Sequence, residues 1–331
     1  MWKRIDIIFK LKSPLHIGYM PFRGSVVSPT RYYVPGKNFW GAVTRKLTEH
    51  LFENPDASKY REIGKKVINN FRFSYFYLFD EEIAYLPCYK NNELKFGNGN
   101  KLIDKFEFEH RFIGSRISTA IDGRSGTAKD ESLHEIEFIN NSFKDKNGNF
   151  GDTKIIGYVW VRENARIDEK NVTIKEGGIF IGDFNIIEEL ILGGESKYGF
   201  GHVLFSSINN VRFPIREKVE DDKIKVEINK EEPLPAHFKY EKNIKFMGEI
   251  ELLTGRGYFD PEKLKNDKNN TKIAGNPGGI ISKPQYYFSP GTVLRNNTIG
   301  IVNWDGTIEA DKSKINWIKG FYYYIALKLF N

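Results

Sequence analysis

Asp183–Leu192, DFNIIEELIL, runs straight into Gly193–Gly201, GGESKYGFG. Ile186, Ile187, Leu190 and Ile191 recur at spacings that share one face of a helix, which predicts an amphipathic helix ending at the double glycine. Five of the next nine residues are Gly or Lys, set around Tyr198 and Phe200. Gly193, Gly194, Gly199 and Gly201 permit close backbone approach, Lys197 supplies a cation, and the two rings supply stacking faces, the tools for holding a phosphodiester chain and its bases. The same double glycine also serves as an ordinary helix stop, so the loop gains meaning from the segments around it.

Working outward, residues 5–11 alternate, with Ile5, Ile7, Phe9 and Leu11 on one side, as in a half-buried strand. A Pro- and Gly-rich loop follows. Phe39, Val43, Leu47 and Leu51 then recur every fourth residue, predicting a helix opened by Gly36 and Asn38. Phe71, Phe73, Tyr75, Tyr77 and Phe79 read as one alternating strand, the NNELKFGNGNK segment as an exposed turn, and residues 133–139, 154–161 and 202–205 as further strands. Strand, helix, strands, helix, strand is the order of a ferredoxin-like (RNA-recognition-motif-like) α+β domain with long insertions.

The 331 residues fit about two domains. The expected division is 1–212, a charged connection at 213–243, and a smaller unit at 244–331 that makes two ferredoxin-like domains in tandem. This last unit holds the Gly-rich segment TGRGYFDPEK and ends in FYYYIALKLF, an apolar strand or helix. No apolar run approaches a membrane span, and the N-terminus lacks a signal-peptide core, so a cytoplasmic location is expected. The single cysteine, Cys88, excludes an intramolecular disulfide, and the six histidines are scattered, so neither a metal nor a cofactor is expected. A net charge of +7 leans toward an anionic partner, and 26 Phe, 17 Tyr and 5 Trp offer stacking surfaces.

Four segments together resemble the RAMP superfamily, the RNA-binding subunits of CRISPR effector complexes. They are PLHIG at 14–18, YVPGKNFWGA at 33–42, RISTAIDGRSGTAKDESLHEIEF at 116–138, and GGESKYGFGHV at 193–203. They cover about 200 N-terminal residues in the superfamily's order. The resemblance implies one or two ferredoxin-like domains and one of three roles. Backbone subunits that cut target RNA carry an aspartate between the first strand and first helix, whereas Ser13–Asn38 holds no Asp or Glu here. Processing of the guide precursor would draw on a histidine such as His16. Non-catalytic capping of the guide RNA 5′ end remains, and the form of 30–40 is most similar to the type III-D end-capping subunit.

That role implies CRISPR RNA (crRNA) as ligand, with a large polymerase-like subunit and backbone subunits as partners and target RNA met indirectly. The expected RNA contacts are Arg23, Arg31 and Lys37 in the first loop, helix amides over Gly36–Gly41, and Lys197, Tyr198 and Phe200 opposite them. Arg116 and Arg124, with Lys129, lie in a long polar loop suited to reaching the guide or a neighbour. No catalytic residue is assigned. His16 and Asp122 are the weak candidates for the alternative, an RNA-cutting enzyme, with Asp122 otherwise read as a loop-fixing residue.

Overall fold

The computed structural model describes residues 1–19, 25–130, 132–145, 147–209, 215–253 and 285–312. Arg23, the TGRGYFDPEK segment and the terminal FYYYIALKLF lie outside the described residues. The architecture is a strand-rich α+β fold.

In chain order, β1 (Trp2–Leu11) and β2 (Tyr33–Val34) precede two helices, α1 (Gly36–Leu51) and α2 (Ala57–Asn70). Next come β3 (Phe71–Phe73), β4 (Phe76–Phe79) and α3 (Lys105–Phe112). A projecting pair follows, β5 (Ile113–Ser118) and β6 (His134–Ile139), and then β7 (Lys154–Arg162), β8 (Glu189–Ile191) and β9 (His202–Asn209). Seven strands form the first sheet in the order β8-β9-β1-β7-β4-β2, with β3 also on β7. Every pairing in it is antiparallel.

Helices α1 and α2 cover one face. Ile5, Ile7, Phe9 and Leu11 of β1 meet Phe39, Val43 and Leu47 of α1 and Ile63 and Val67 of α2 there. Phe39 stacks on Phe76 with ring centroids 4.0 Å apart. Pro35 starts α1, its fixed φ suiting the residue before a helix, and Asp56 caps α2 by accepting from the backbone N–H of Ser58 and Lys59.

The opposite face of this sheet is not solvated. Trp2, Ile8, Tyr75, Tyr77, Tyr158 and Trp160 pack against Ile224, Val226, Phe238 and Phe288 of a second sheet. That sheet contains β10 (Arg216–Glu220), β11 (Lys223–Ile228), β12 (Phe238–Lys239), β13 (Ile250–Leu253), β14 (Gln285–Phe288), β15 (Thr298–Val302) and β16 (Ile308–Ala310). Their order is β10-β11-β15-β16-β12-β14-β13.

Several expectations change as a result. Strand β1 is buried on both faces rather than half-buried, because the second sheet covers its other side. The five alternating aromatics are not one strand face: the chain breaks at Ser74, so Phe71 and Phe73 join the helix-side core and Tyr75, Tyr77 and Phe79 the inter-sheet core. The NNELKFGNGNK segment is two turns around a strand, Glu93–Asn98, whose Phe96 is buried. The charged stretch 216–243 is more than a connection, since 216–220 and 223–228 form a hairpin of the second sheet with Ile224, Val226 and Ile228 turned inward.

The helix expected at 183–192 is absent. Residues 189–191 are an edge strand paired with β9, Leu190 opposite Val203. Leu190 and Leu192 are buried while Glu189 and Ile191 are not, a period of two. Three β-branched isoleucines in ten residues favour this extended pairing, and a short apolar run satisfies both periods.

An N-terminal fragment ending at Asn209 would expose Tyr75, Tyr77, Tyr158 and Trp160 as one aromatic surface. The expected outcome is aggregation or strong binding of a hydrophobic dye by the fragment. A soluble, cooperatively melting fragment that does not bind the dye would show that the second sheet is dispensable.

Candidate nucleic-acid interface

The glycine-rich loop is a hairpin connection between β8 and β9 with one turn of 3-10 helix, Ser196–Tyr198. It is tied to the first loop through the backbone: Gly194 N–H donates to His16 C=O at 2.9 Å and Gly201 N–H to Pro14 C=O at 2.8 Å. Gly201 has φ +85° and a Cβ there would sit 2.0 Å from Leu192 C=O, whereas Gly199, at φ +83°, faces open space. Gly193 likewise has no room beside His16 C=O. The glycines therefore weld PLHIG to the loop, and two of the segments read separately in the sequence form one wall.

His16 is buried beneath this weld, and its Nδ1–H donates to Glu137 C=O at 2.7 Å. Tyr198 stands out at 68% exposure, while Phe200 is only 6% exposed and lies edge-on to Phe138. Phe200 is thus a core ring, a correction to its expected place in RNA contact. Lys197 is exposed beside Tyr198.

Arg31 is also displaced from its expected task. Its guanidinium is buried, ion-paired to Glu251 of β13, and 3.4 Å from the Tyr33 hydroxyl. Burial works against the charge of Arg31, but Tyr33 and Glu251 outweigh it and keep the group protonated. Glu251 Oε2 accepts from His237 Nε2–H at 2.7 Å, and His237 Nδ1 then accepts from the Tyr75 hydroxyl at 2.7 Å. A polar chain, Arg31–Glu251–His237–Tyr75, thereby crosses between the two sheets.

Above this chain opens a groove of about 1190 Å³. Lys37, Trp40 and Arg45 of α1 and Arg61 and Lys65 of α2 line one side, Gly193 and Ser196 another, and Tyr287, Trp304 and Asp305 of the second sheet complete it. Trp40 donates its indole N–H to Gly64 C=O at 3.0 Å and meets Trp304 edge-on at 4.9 Å. Burial lowers the pKa of Lys37, with Arg31 adding to the effect. Gly36 packs against the carbonyls of Phe73 and Asp305, so the turn before β16 covers the very start of α1, while Gly41 faces the groove.

Cations of α1 and α2 and aromatic rings from both sides meet in one open trough. No family model matches the chain, and no curated protein matches its sequence. Its structure is similar to a chain in the cryo-EM structure of the type III-B Cmr-beta bound to cognate target RNA, at 12% identity and a TM-score of 0.45, over 88% of this chain and 86% of that one. It is also similar to a chain in the crystal structure of the Csm3-Csm4 subcomplex of the type III-A CRISPR-Cas interference complex, at 14% identity and a TM-score of 0.38, over 88% of this chain and 93% of that one. At that distance the functional reading has to come from the groove itself.

Arg116 lies exposed on β5, and Arg124 in the loop between β5 and β6, away from the groove lining. Asp122 accepts from the backbone N–H of Arg124 at 2.7 Å and Ser125 at 3.3 Å, which shapes that loop. Among the described residues no cluster of His, Cys, Asp or Glu is set to hold a metal ion. The residues that sequence reasoning missed are Trp40, Arg45, Arg61 and Lys65 on the helices and Tyr287, Trp304 and Asp305 on the second sheet. Trp40 sat inside a quoted motif, and its aromatic type one turn into the helix was the available signal.

Replacing Gly201 by Ala should destabilise the protein by about 1–3 kcal/mol and loosen the loop, because the left-handed backbone and the Leu192 carbonyl both oppose a side chain. Gly199→Ala, free of that contact, should cost about 1 kcal/mol. Urea unfolding of the two variants measures the difference, and equal losses would contradict the weld.

The buried chain also fixes a pH response. Burial pushes the pKa of His237 down against the pull of Glu251, so the folded ring is neutral. Burial would raise the pKa of Glu251, but hydrogen bonds from His237 and Arg31 hold it well below the usual carboxylate range. Below pH about 6.5 the unfolded histidine takes up a proton that the folded one refuses, so stability falls with acidification at up to about 1.4 kcal/mol per pH unit per proton. Glu251 adds a further loss below its ordinary pKa of about 4.3. His237→Gln, which cannot titrate, should flatten thermal stability between pH 7 and 5, and an unchanged slope would place the response elsewhere.

Proposed function

We propose that this chain is a non-catalytic RNA-binding subunit of a type III CRISPR effector ribonucleoprotein, holding the 5′ tag of the crRNA and bridging the large subunit to the backbone subunits in antiviral defence. The observation that carries the reading is the groove, where Lys37, Arg61 and Lys65 stand beside Trp40, Tyr287 and Trp304. Single-stranded nucleic acid is held without sequence preference by cations that track phosphates and by rings on which bases stack. The four sequence segments support the assignment to an effector complex, and two of them, PLHIG and the glycine-rich loop, share a wall of this groove.

The strand order β9-β1-β7-β4, with α1 and α2 between the first and second of these in chain order, supports a ferredoxin-like reading of the N-terminal unit. In that reading its second helix is replaced by the extended segment ending in β8. The β5–β6 arm, with Arg116 and Arg124 outward, is the surface we assign to neighbouring subunits or the guide. His16 makes a poor base for cleavage, since its ring is buried away from the groove's open space.

The test is a mobility shift of the purified chain with labelled RNA carrying a CRISPR repeat, with and without magnesium, across salt concentrations. Salt-dependent binding without products is expected. Lys65→Ala should weaken binding and reduce the slope of log affinity against log salt by about 0.7, the effect of one phosphate contact on a single strand. Discrete cleavage within the repeat would replace this reading with an RNA-cutting enzyme, and no binding would refute the groove as an RNA site.

A further inference from the structure

Within a groove lined by cations, one carboxylate is out of place. Asp305 sits in the turn between β15 and β16 and lines the trough opposite α1. Its Oδ1 is occupied, accepting from Thr307 N–H at 3.0 Å and from Thr307 Oγ1 at 2.7 Å. Oδ2 makes no hydrogen bond or ion pair to a described residue. The charge of Asp305 is felt by Lys37, Tyr75 and Tyr287, which places it at the meeting point of three walls.

A carboxylate repels phosphates. An RNA strand entering the trough must therefore run its backbone along the cations of α1 and α2 and turn a base toward β15–β16. Trp304, 37% exposed and next to Asp305 in the chain, offers that base a ring. An ionised carboxylate only accepts hydrogen bonds. It matches an exocyclic amino group, and the pairing of Asp or Glu with cytosine N4 is one such contact. Uracil presents carbonyl oxygens on both sides of its single ring N–H and meets a carboxylate with repulsion.

We propose that the Asp305 turn is a base-reading site that selects an amino-bearing base over uracil. This deepens, and rests on, the reading of the groove as an RNA site. It assigns the trough a chemical preference that cations and rings alone would not give.

The experiment compares oligo(C) with oligo(U) of equal length at one salt concentration, since these bases have the same ring size and differ at the amino group. The native protein should bind oligo(C) about ten- to a hundredfold tighter, the scale of one charge-assisted hydrogen bond. Asp305→Asn, whose side-chain oxygen still accepts from Thr307, should bring the ratio near one. Equal binding of the two oligomers by the native protein, or a ratio that Asp305→Asn leaves intact, would overturn the site while the RNA reading stands. Failure to bind either oligomer overturns the RNA reading and this one with it. The native comparison needs no variant, so it holds even if the substitution disturbs folding.

Discussion

The buried ion pair between Arg31 and Glu251 is the interaction on which the groove depends. Arg31 precedes β2 and α1, and its backbone N–H donates to Ile17 C=O at 2.7 Å, so it belongs to the same wall as PLHIG. Glu251 belongs to the second sheet. Removing either partner would strand the other charge in the inter-sheet core, which costs far more than an exposed pair is worth. His237 and Tyr75 extend the pair into a hydrogen-bonded chain, so the sheets have a fixed register at the groove floor. Lys37 and Trp40 lie in the first turns of α1, which follows Arg31 across the short strand β2, and Tyr287, Trp304 and Asp305 are carried by the second sheet and its β15–β16 turn. Their juxtaposition is a consequence of that register.

This explains why residue type misled at Arg31. In a basic, loop-rich sequence an arginine near a helix start reads as a phosphate ligand. Whether it meets water, RNA or a glutamate 220 residues away is decided by tertiary structure. The same holds for Phe200, where a glycine-flanked ring could face bases or the core. All three residues of the 3-10 turn, Tyr198 among them, are exposed, whereas Phe200 lies past the turn and is buried where the chain re-enters the core ahead of β9.

Local pattern did convey much of the first sheet. Strands over 5–11, 133–139, 154–161 and 202–205 and the helix from Gly36 all lie where periodicity placed them. The failures share a cause. The segment 183–192 carries a helical spacing in β-branched residues, and only the partner strand at 202–204 decides for extension. The polar-looking second face of β1 is covered by the second sheet, and the charged residues alternating along that sheet's first hairpin, 216–228, made the stretch 216–243 look like a connection. Arg4, Asp6 and Glu217 show how a buried face tolerates charge, since Arg4 pairs with both acids.

The groove itself was beyond reading from one stretch, because its walls come from segments near residues 17, 37, 61, 193, 237, 287 and 305. A composite of this kind has a physical consequence. Its cations sit on helices packed to one face of the first sheet, and its acceptor and two of its rings sit on the sheet packed to the other. Any ligand that spans them bridges both cores and stabilises the register of Arg31 with Glu251 by mass action. The site and the inter-sheet pair are therefore thermodynamically linked, and loosening the pair weakens the ligand as surely as removing a contact.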